Sequence, residues 1–90
     1  MFDQLQRVHF IGIGGIGMSA IAELMLTQQI TISGSDLELT PITEHLQARG
    51  ATVYEGHAYD QVPDCDAVVY TAAIPGDNPE LCAARDKNIT

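Results

Sequence analysis

The chain has 90 residues, with twelve acidic side chains against four Lys+Arg, a formal net charge of −8. Its bases, Arg7, Arg49, Arg85 and Lys87, are scattered, so no basic stripe exists to neutralise a nucleic-acid backbone. No run of 18 apolar residues suggests a membrane span, and Met-Phe-Asp-Gln-Leu-Gln-Arg at the start carries no apolar core of a secretory signal.

Arg7 to Ile13 is a near-continuous apolar run (Val8, Phe10, Ile11, Ile13), which suits a parallel strand buried on both faces. It breaks into Gly12-Ile13-Gly14-Gly15-Ile16-Gly17, which fits G-x-G-x-x-G with one extra glycine. Such a turn gathers backbone N–H groups at a helix N-terminus that carries about half a positive charge, a ready site for a nucleotide diphosphate. An acidic domain has to hold a diphosphate through aimed amides of this kind, because general attraction is absent. Beyond Gly17 the period becomes helical: Gly17, Ala20, Ile21, Leu24 and Gln28 fall on one face, with Met25 beside Leu24. Ile30 to Ser33 reads as a second strand, ending in Gly34-Ser35-Asp36. Asp36 follows the loop by about twenty residues, where a dinucleotide fingerprint has its ribose-binding acid.

Thr40-Pro41 is a helix start, an N-cap followed by proline, and Gly50 closes that helix. Ala51 to Tyr54 is a third strand, with Glu55-Gly56-His57 as the loop after it. Tyr59 to Asp64 is a polar connection with room for one helical turn. Asp66 to Thr71 is a fourth strand, and Ala73 to Asp77 a loop. Asn78-Pro79 repeats the cap-plus-proline signal and opens a helix to about Lys87; Ile89-Thr90 begins a further strand. Ninety residues suffice for one domain with a modest core, burying about 60–65% of the unfolded surface. Cys65 and Cys82, without metal-type pair spacing, read as reduced thiols of a cytoplasmic protein.

Strands alternating with short helical segments give an α/β fold: a Rossmann-like parallel sheet with four βα units, right-handed crossovers and strand order 3-2-1-4. Ligands of such sheets bind beyond the carboxyl ends of the strands. Functional residues are therefore expected from Gly12–Gly17, Gly34–Leu37, Glu55–His57 and Thr71–Ile74. Gly14, Gly15, Ile16 and Gly17 should offer amides to a diphosphate. Ser19 either adds a hydroxyl or is an exposed first-turn serine. Met18 borders a sugar or packs. Asp36 accepts from a ribose hydroxyl, helps bind a uridine, or starts a turn. His57 donates to a phosphate or sugar oxygen, or is a half-exposed loop residue. His9 and His45 lack ligand-spaced partners, so no metal site is expected. Glu38, Glu44 and Arg49 read as a solvated face of the second helix, and Tyr54, Tyr59 and Tyr70 as packing or rim residues.

His9-Phe10-Ile11-Gly12-Ile13-Gly14-Gly15-Ile16-Gly17-Met18-Ser19, Ser33-Gly34-Ser35-Asp36, Gly56-His57, Val69-Tyr70-Thr71-Ala72-Ala73-Ile74 and Asp77-Asn78-Pro79-Glu80 together resemble the N-terminal domain of the Mur ligases. The Gly-Gly-Ile-Gly-Met run resembles the alanine-adding branch more than the branch that recycles a muropeptide. The resemblance implies a three-domain cytoplasmic enzyme of peptidoglycan synthesis. It would join L-alanine to the lactyl carboxylate of UDP-N-acetylmuramate, using ATP and Mg²⁺ through an acyl phosphate. Residues 1–90 would be its UDP-sugar-binding domain, a fragment without G-x-x-x-x-G-K-[ST] and therefore inactive alone. Thr71 and Ala72 would line the substrate; the family pattern expects two hydroxyl residues there, and Ala72 lacks one. The face meant for a second domain could pair with a second copy, giving a homodimer. Two other functions fit the first 36 residues: an NAD(P)-binding domain of a dehydrogenase, and a non-enzymatic nucleotide-sensing module.

Overall fold

Successive residues of the first strand point to opposite sides of a sheet, and that alternation organises the molecule. The computed structural model describes residues 5–89. Its elements are β1 (Arg7–Ile11), α1 (Ile16–Thr27), β2 (Thr31–Asp36), α2 (Pro41–Ala48), β3 (Thr52–Glu55), a 3-10 turn (Tyr59–Gln61), β4 (Ala67–Val69) and α3 (Pro79–Asp86). The four strands form one parallel sheet in the order β3-β2-β1-β4, as the alternation of elements predicts. β1 runs in register with β2 from Arg7 opposite Thr31 to Ile11 opposite Ser35, and with β4 from Val8 opposite Ala67 to Phe10 opposite Val69.

Val8 and Phe10 join Met18, Ala22 and Met25 of α1, Leu46 of α2, and Ile13, Ile32 and Val53 in one core. Ile11 faces the other way, into a smaller core with Val62, Val68, Leu81, Ala83 and Ala84. The sheet is thus covered on both sides, which is why β1 reads as an unbroken apolar run. The one polar residue in its buried part, His9, lies fully buried on the α3 side.

Four local readings shift. The face of α1 turned to the core is Met18, Ala22 and Met25; Ala20, Ile21 and Leu24 are exposed. Both stripes are apolar at helical spacing, so periodicity alone does not choose between them, and small Ala22 lets the helix lie close to the sheet. β2 continues through Gly34 and Ser35 to Asp36. Gly34 is a strand residue because Ile13 lies over it: a Cβ there would stand 2.7 Å from Ile13 Cδ1 and 2.9 Å from the Phe10 carbonyl oxygen. β4 is shorter than expected, ending at Val69. Ile89 is not in a strand, and Thr90 lies outside the described residues. Both proline-led helices start where their caps predict. Thr40 and Thr43 form a reciprocal capping box, and Asn78 Oδ1 accepts from the Glu80 and Leu81 amides. No helix among the described residues is long and apolar enough to cross a membrane.

Candidate functional site: a glycine turn, an uncapped helix and a cleft

The glycine turn folds back on itself through its own amides. Gly12 and Ile13 N–H donate to the Ser35 carbonyl, at 2.8 and 3.0 Å, and tie the turn to the end of β2. Gly12 has φ +83°, a conformation that L side chains rarely adopt. Gly14 N–H donates to Asp36 Oδ2 at 2.8 Å, and Gly15 N–H to the Gly12 carbonyl at 3.1 Å. These two amides are therefore committed inside the protein. The Ile16, Gly17 and Met18 amides have no partner among the described residues, and Gly15 caps α1 with no side-chain bond and no acid in the first turn. Of the four amides expected from sequence, Gly14, Gly15, Ile16 and Gly17, the first two are turned inward, the last two are left unpartnered among the described residues, and Met18 joins them at the positive end of α1.

Asp36 has a role that spacing does not reveal. Its Oδ2 anchors the turn, while Oδ1 has no partner among the described residues. The Asp36 carbonyl also accepts the Gly56 amide at 2.6 Å, which binds the end of β2 to the loop after β3. Ser19 bonds back to the Ile16 carbonyl at 3.0 Å, on the first turn of α1. Met18 is buried, a packing residue.

A cleft of about 460 Å³ opens at the same rim, lined by Leu37, His57, Ala73, Ile74, Pro75, Asp77, Asn78 and Pro79. Ile74 Cδ1 would lie 3.7 Å from a Cβ on Gly12, so the loop after β4 packs over the glycine turn. Thr71 accepts the Ala73 amide at 3.3 Å in a hydroxyl-capped turn; Thr71 and Ala72 are exposed beside the cleft and not among its lining residues. At the opposite end, a cleft of about 340 Å³ is lined by Gln6, Arg7, Asp64, Cys65 and Asp66. Its Asp66 carboxylate already accepts the Gln6 and Arg7 amides, at 2.8 and 2.9 Å, and these bonds hold its pKa below the usual range. Burial pushes the Cys65 thiol up, against the character of a reactive cysteine.

Behind His57 lies a polar cluster missing from the sequence-level site. Glu80 on α3, His9 on β1 and Ser35 on β2 are fully buried; Glu80 bonds to both His9 and Ser35, His9 also bonds to Ser33, and Ser35 reaches His57. Burial pushes the Glu80 carboxyl up, but the bonds from His9, Ser35 and the Ala58 amide outweigh it and leave its pKa lowered. A signal for the cluster exists in the sequence. Ser33 and Ser35 share one face of a strand that is otherwise buried, and His9 interrupts the apolar run of the neighbouring strand. Glu80 is 71 positions from His9, and only the fold brings them together.

The sheet order, the glycine turn and the rim cleft define a Rossmann-like α/β domain. A family model described as "Mur ligase family, catalytic domain" matches residues 7–90, and the chain belongs to the Mur ligase family. It is 53% identical over 87 residues to a UDP-N-acetylmuramate--L-alanine ligase of Clostridium botulinum, covering 97% of this chain and 19% of that protein. A protein of the same name from Salinibacter ruber is 49% identical over 88 residues, covering 97% of this chain and 18% of that one. The crystal structure of UDP-N-acetylmuramate-alanine ligase MurC from Thermotoga maritima superposes with a TM-score of 0.89 at 37% identity, over 96% of this chain and 20% of that one. A murein peptide ligase from Psychrobacter arcticus gives 0.86 at 27% identity, over 93% of this chain and 18% of that one. The chain thus spans about a fifth of the length of the relatives it matches.

Proposed function

We propose that this chain holds the UDP portion of UDP-N-acetylmuramate, as the N-terminal domain of the ATP-dependent ligase that adds L-alanine in peptidoglycan synthesis. The observation that carries the reading is the uncapped start of α1. Three amides without a partner among the described residues, Ile16, Gly17 and Met18, follow a glycine turn at the same rim as a cleft sized for part of a nucleotide sugar. The names of the relatives at about half identity supply the substrate. In this arrangement the amides take the diphosphate, Asp36 Oδ1 accepts from a sugar or base donor, and His57, Thr71 and Ala72 border the ligand. Ser19, one turn into α1, stands next to the same amides.

ATP and Mg²⁺ would belong to the parts of the ligase outside this chain. The residues present do not fit a triphosphate: the chain has no second glycine loop, and Lys87, its one lysine, is occupied. Its Nζ donates to the Val62 carbonyl at 2.7 Å and stands 3.6 Å from Asp64 Oδ1. The ligase reading places the protein in the cytoplasm, where the nucleotide precursors are.

The test is a titration of the ¹⁵N-labelled chain. UDP should shift the Ile16, Gly17 and Met18 amide signals, and NADH should do so less at equal concentration. Tighter binding of NADH would return the chain to the dehydrogenase reading. Gly15→Val should remove UDP binding and keep the fold. Gly15 has φ −62°, and an added Cβ would make only ordinary contacts, 3.5 Å from the Gly12 carbonyl oxygen and 3.6 Å from Met18 Cγ. Wild-type affinity in the folded variant would remove the diphosphate from this turn.

A further inference from the structure

Glu80 has no acceptor capacity to spare. Its Oε1 lies 2.6 Å from His9 Nε2 and accepts the Ser35 hydroxyl at 2.7 Å. Its Oε2 accepts the Ala58 amide at 3.0 Å and the Gln61 side-chain amide at 2.8 Å. An ionised carboxylate offers about four lone-pair sites, and donors fill all of them. Ser35 has one proton, and it goes to Glu80. The Ser35 oxygen is then left to accept, and the atom 2.7 Å from it is His57 Nδ1. That nitrogen therefore carries a hydrogen. His57 Nε2 has no partner among the described residues, and the ring, 13% exposed, lines the cleft with Leu37, Ile74 and Asp77.

A neutral imidazole with its hydrogen on Nδ1 presents a lone pair at Nε2. We propose that the Glu80–Ser35 pair is a positioning device that locks His57 in this form, so that His57 accepts a hydrogen bond from a donor on the nucleotide, a base N–H or a sugar hydroxyl. In this form His57 accepts at Nε2, whereas the sequence expectation has His57 donating to a phosphate or sugar oxygen. The wiring also divides the rim by chemistry. The α1 amides supply donors for the anionic part of the ligand, and His57 supplies an acceptor for a neutral part. Glu80, whose Oε2 is 3.9 Å from Nδ1, and Asp77 in the cleft wall are the charged groups facing the ring. The role of His57 as a reader rests on the nucleotide reading of the site; the lock itself does not.

Long-range ¹H–¹⁵N NMR of the chain at neutral pH reads the lock directly. In the free wild type, His57 Nδ1 should have the shift of a protonated nitrogen and Nε2 that of an unprotonated one. Ser35→Ala should move the hydrogen to Nε2. UDP affinity should fall about three- to tenfold in Ser35→Ala and in His57→Ala, the scale of one neutral hydrogen bond. Two analogues separate the sources of the donor: N3-methyl-UDP lacks the base N–H, and 2′,3′-dideoxy-UDP lacks the ribose hydroxyls. One of them should bind the wild type more weakly than UDP does and be indifferent to His57→Ala. A wild-type ring with a hydrogen on Nε2, alone or together with one on Nδ1, overturns the lock, and equal losses for UDP and both analogues on His57→Ala overturn the reader. If UDP fails to bind the folded wild type, the nucleotide reading falls and the reader with it, while the NMR signature still decides the lock. Should Ser35→Ala not fold, the wild-type signature and His57→Ala, a change at the edge of the cleft, decide the matter.

Discussion

At the scale of single residues, the outcome turns on donors and acceptors that a linear reading pairs poorly. Glu80 opens α3 and invites a first-turn reading, yet it is buried and carries four hydrogen bonds. Asp36 is where the fingerprint places an acid, but one of its oxygens is spent on Gly14. Residue type and position in the chain are legible; which lone pair meets which hydrogen is decided by two strands, a helix and the segment after β3 arriving together. Glu80 also makes a prediction about acid. Its pKa is lower in the folded state than the ordinary value of about 4.3. A depressed carboxylate contributes stability that is present above the unfolded value and lost as pH falls through the folded one. Glu80→Gln should therefore be less stable than the wild type at pH 7, and the gap should narrow below about pH 4 as the wild type gives up its charge. Glu23 and Asp66 also have lowered pKa values, but they are common to both proteins, so the difference isolates Glu80. Thermal melts from pH 7 to pH 3 measure it; a constant gap would mean that the carboxylate charge is not what Glu80 contributes.

At the scale of elements, punctuation was more legible than orientation. Thr40-Pro41 and Asn78-Pro79 start helices because side-chain oxygens and a missing N–H suit the same unsatisfied turn. The buried side of α1 was not legible, because Met18, Ala22 and Met25 compete with Ala20, Ile21 and Leu24 and only the sheet decides. The end of β2 was hidden for a related reason: Gly34 looks like a loop residue, and only the path of Ile13 across it shows why a strand needs glycine there. The end of α1 carries a correctable cost. Gln29 sits at φ 64°, just past the helix, while the Ile30 amide closes onto the Met25 carbonyl at 3.2 Å. A left-handed residue with a Cβ costs about 1–2 kcal/mol, and glycine recovers part of this against its greater freedom when unfolded. Gln29→Gly should stabilise the chain by about 0.5–1 kcal/mol in urea unfolding. The equivalent Asn88→Gly should gain less, since asparagine tolerates φ 55°. A loss of stability in Gln29→Gly would show that the Gln29 side chain contributes more than its backbone costs.

At the scale of the whole molecule, charge and inventory bound what 90 residues with net charge −8 can do. A general field of that sign repels nucleotides, so binding has to be local, through amides aimed at one spot. Among the described residues there is one such spot, at the start of α1, and in the proposed function the UDP diphosphate occupies it. Making an acyl phosphate requires a second cradle for a triphosphate and a cation to offset its charge. Among the bases, Lys87 is bonded to the Val62 carbonyl, Arg85 to the Gly76 carbonyl, Arg49 to Glu23, and Arg7 lies at the opposite end of the strands beside Asp64 and Asp66. None stands free beside a glycine loop. The purified chain should therefore release no phosphate from ATP when supplied with UDP-N-acetylmuramate, L-alanine and Mg²⁺. A ligase that includes the remaining four-fifths of its relatives' length should do so, and only with the UDP sugar present. Gly15→Val separates the two contributions. In the full ligase it should raise KM for UDP-N-acetylmuramate far more than it changes KM for ATP, because in the proposed function the turn meets UDP and not ATP. Steady phosphate release by the isolated chain, lost on Gly15→Val, would place the triphosphate at this turn and move the UDP sugar elsewhere.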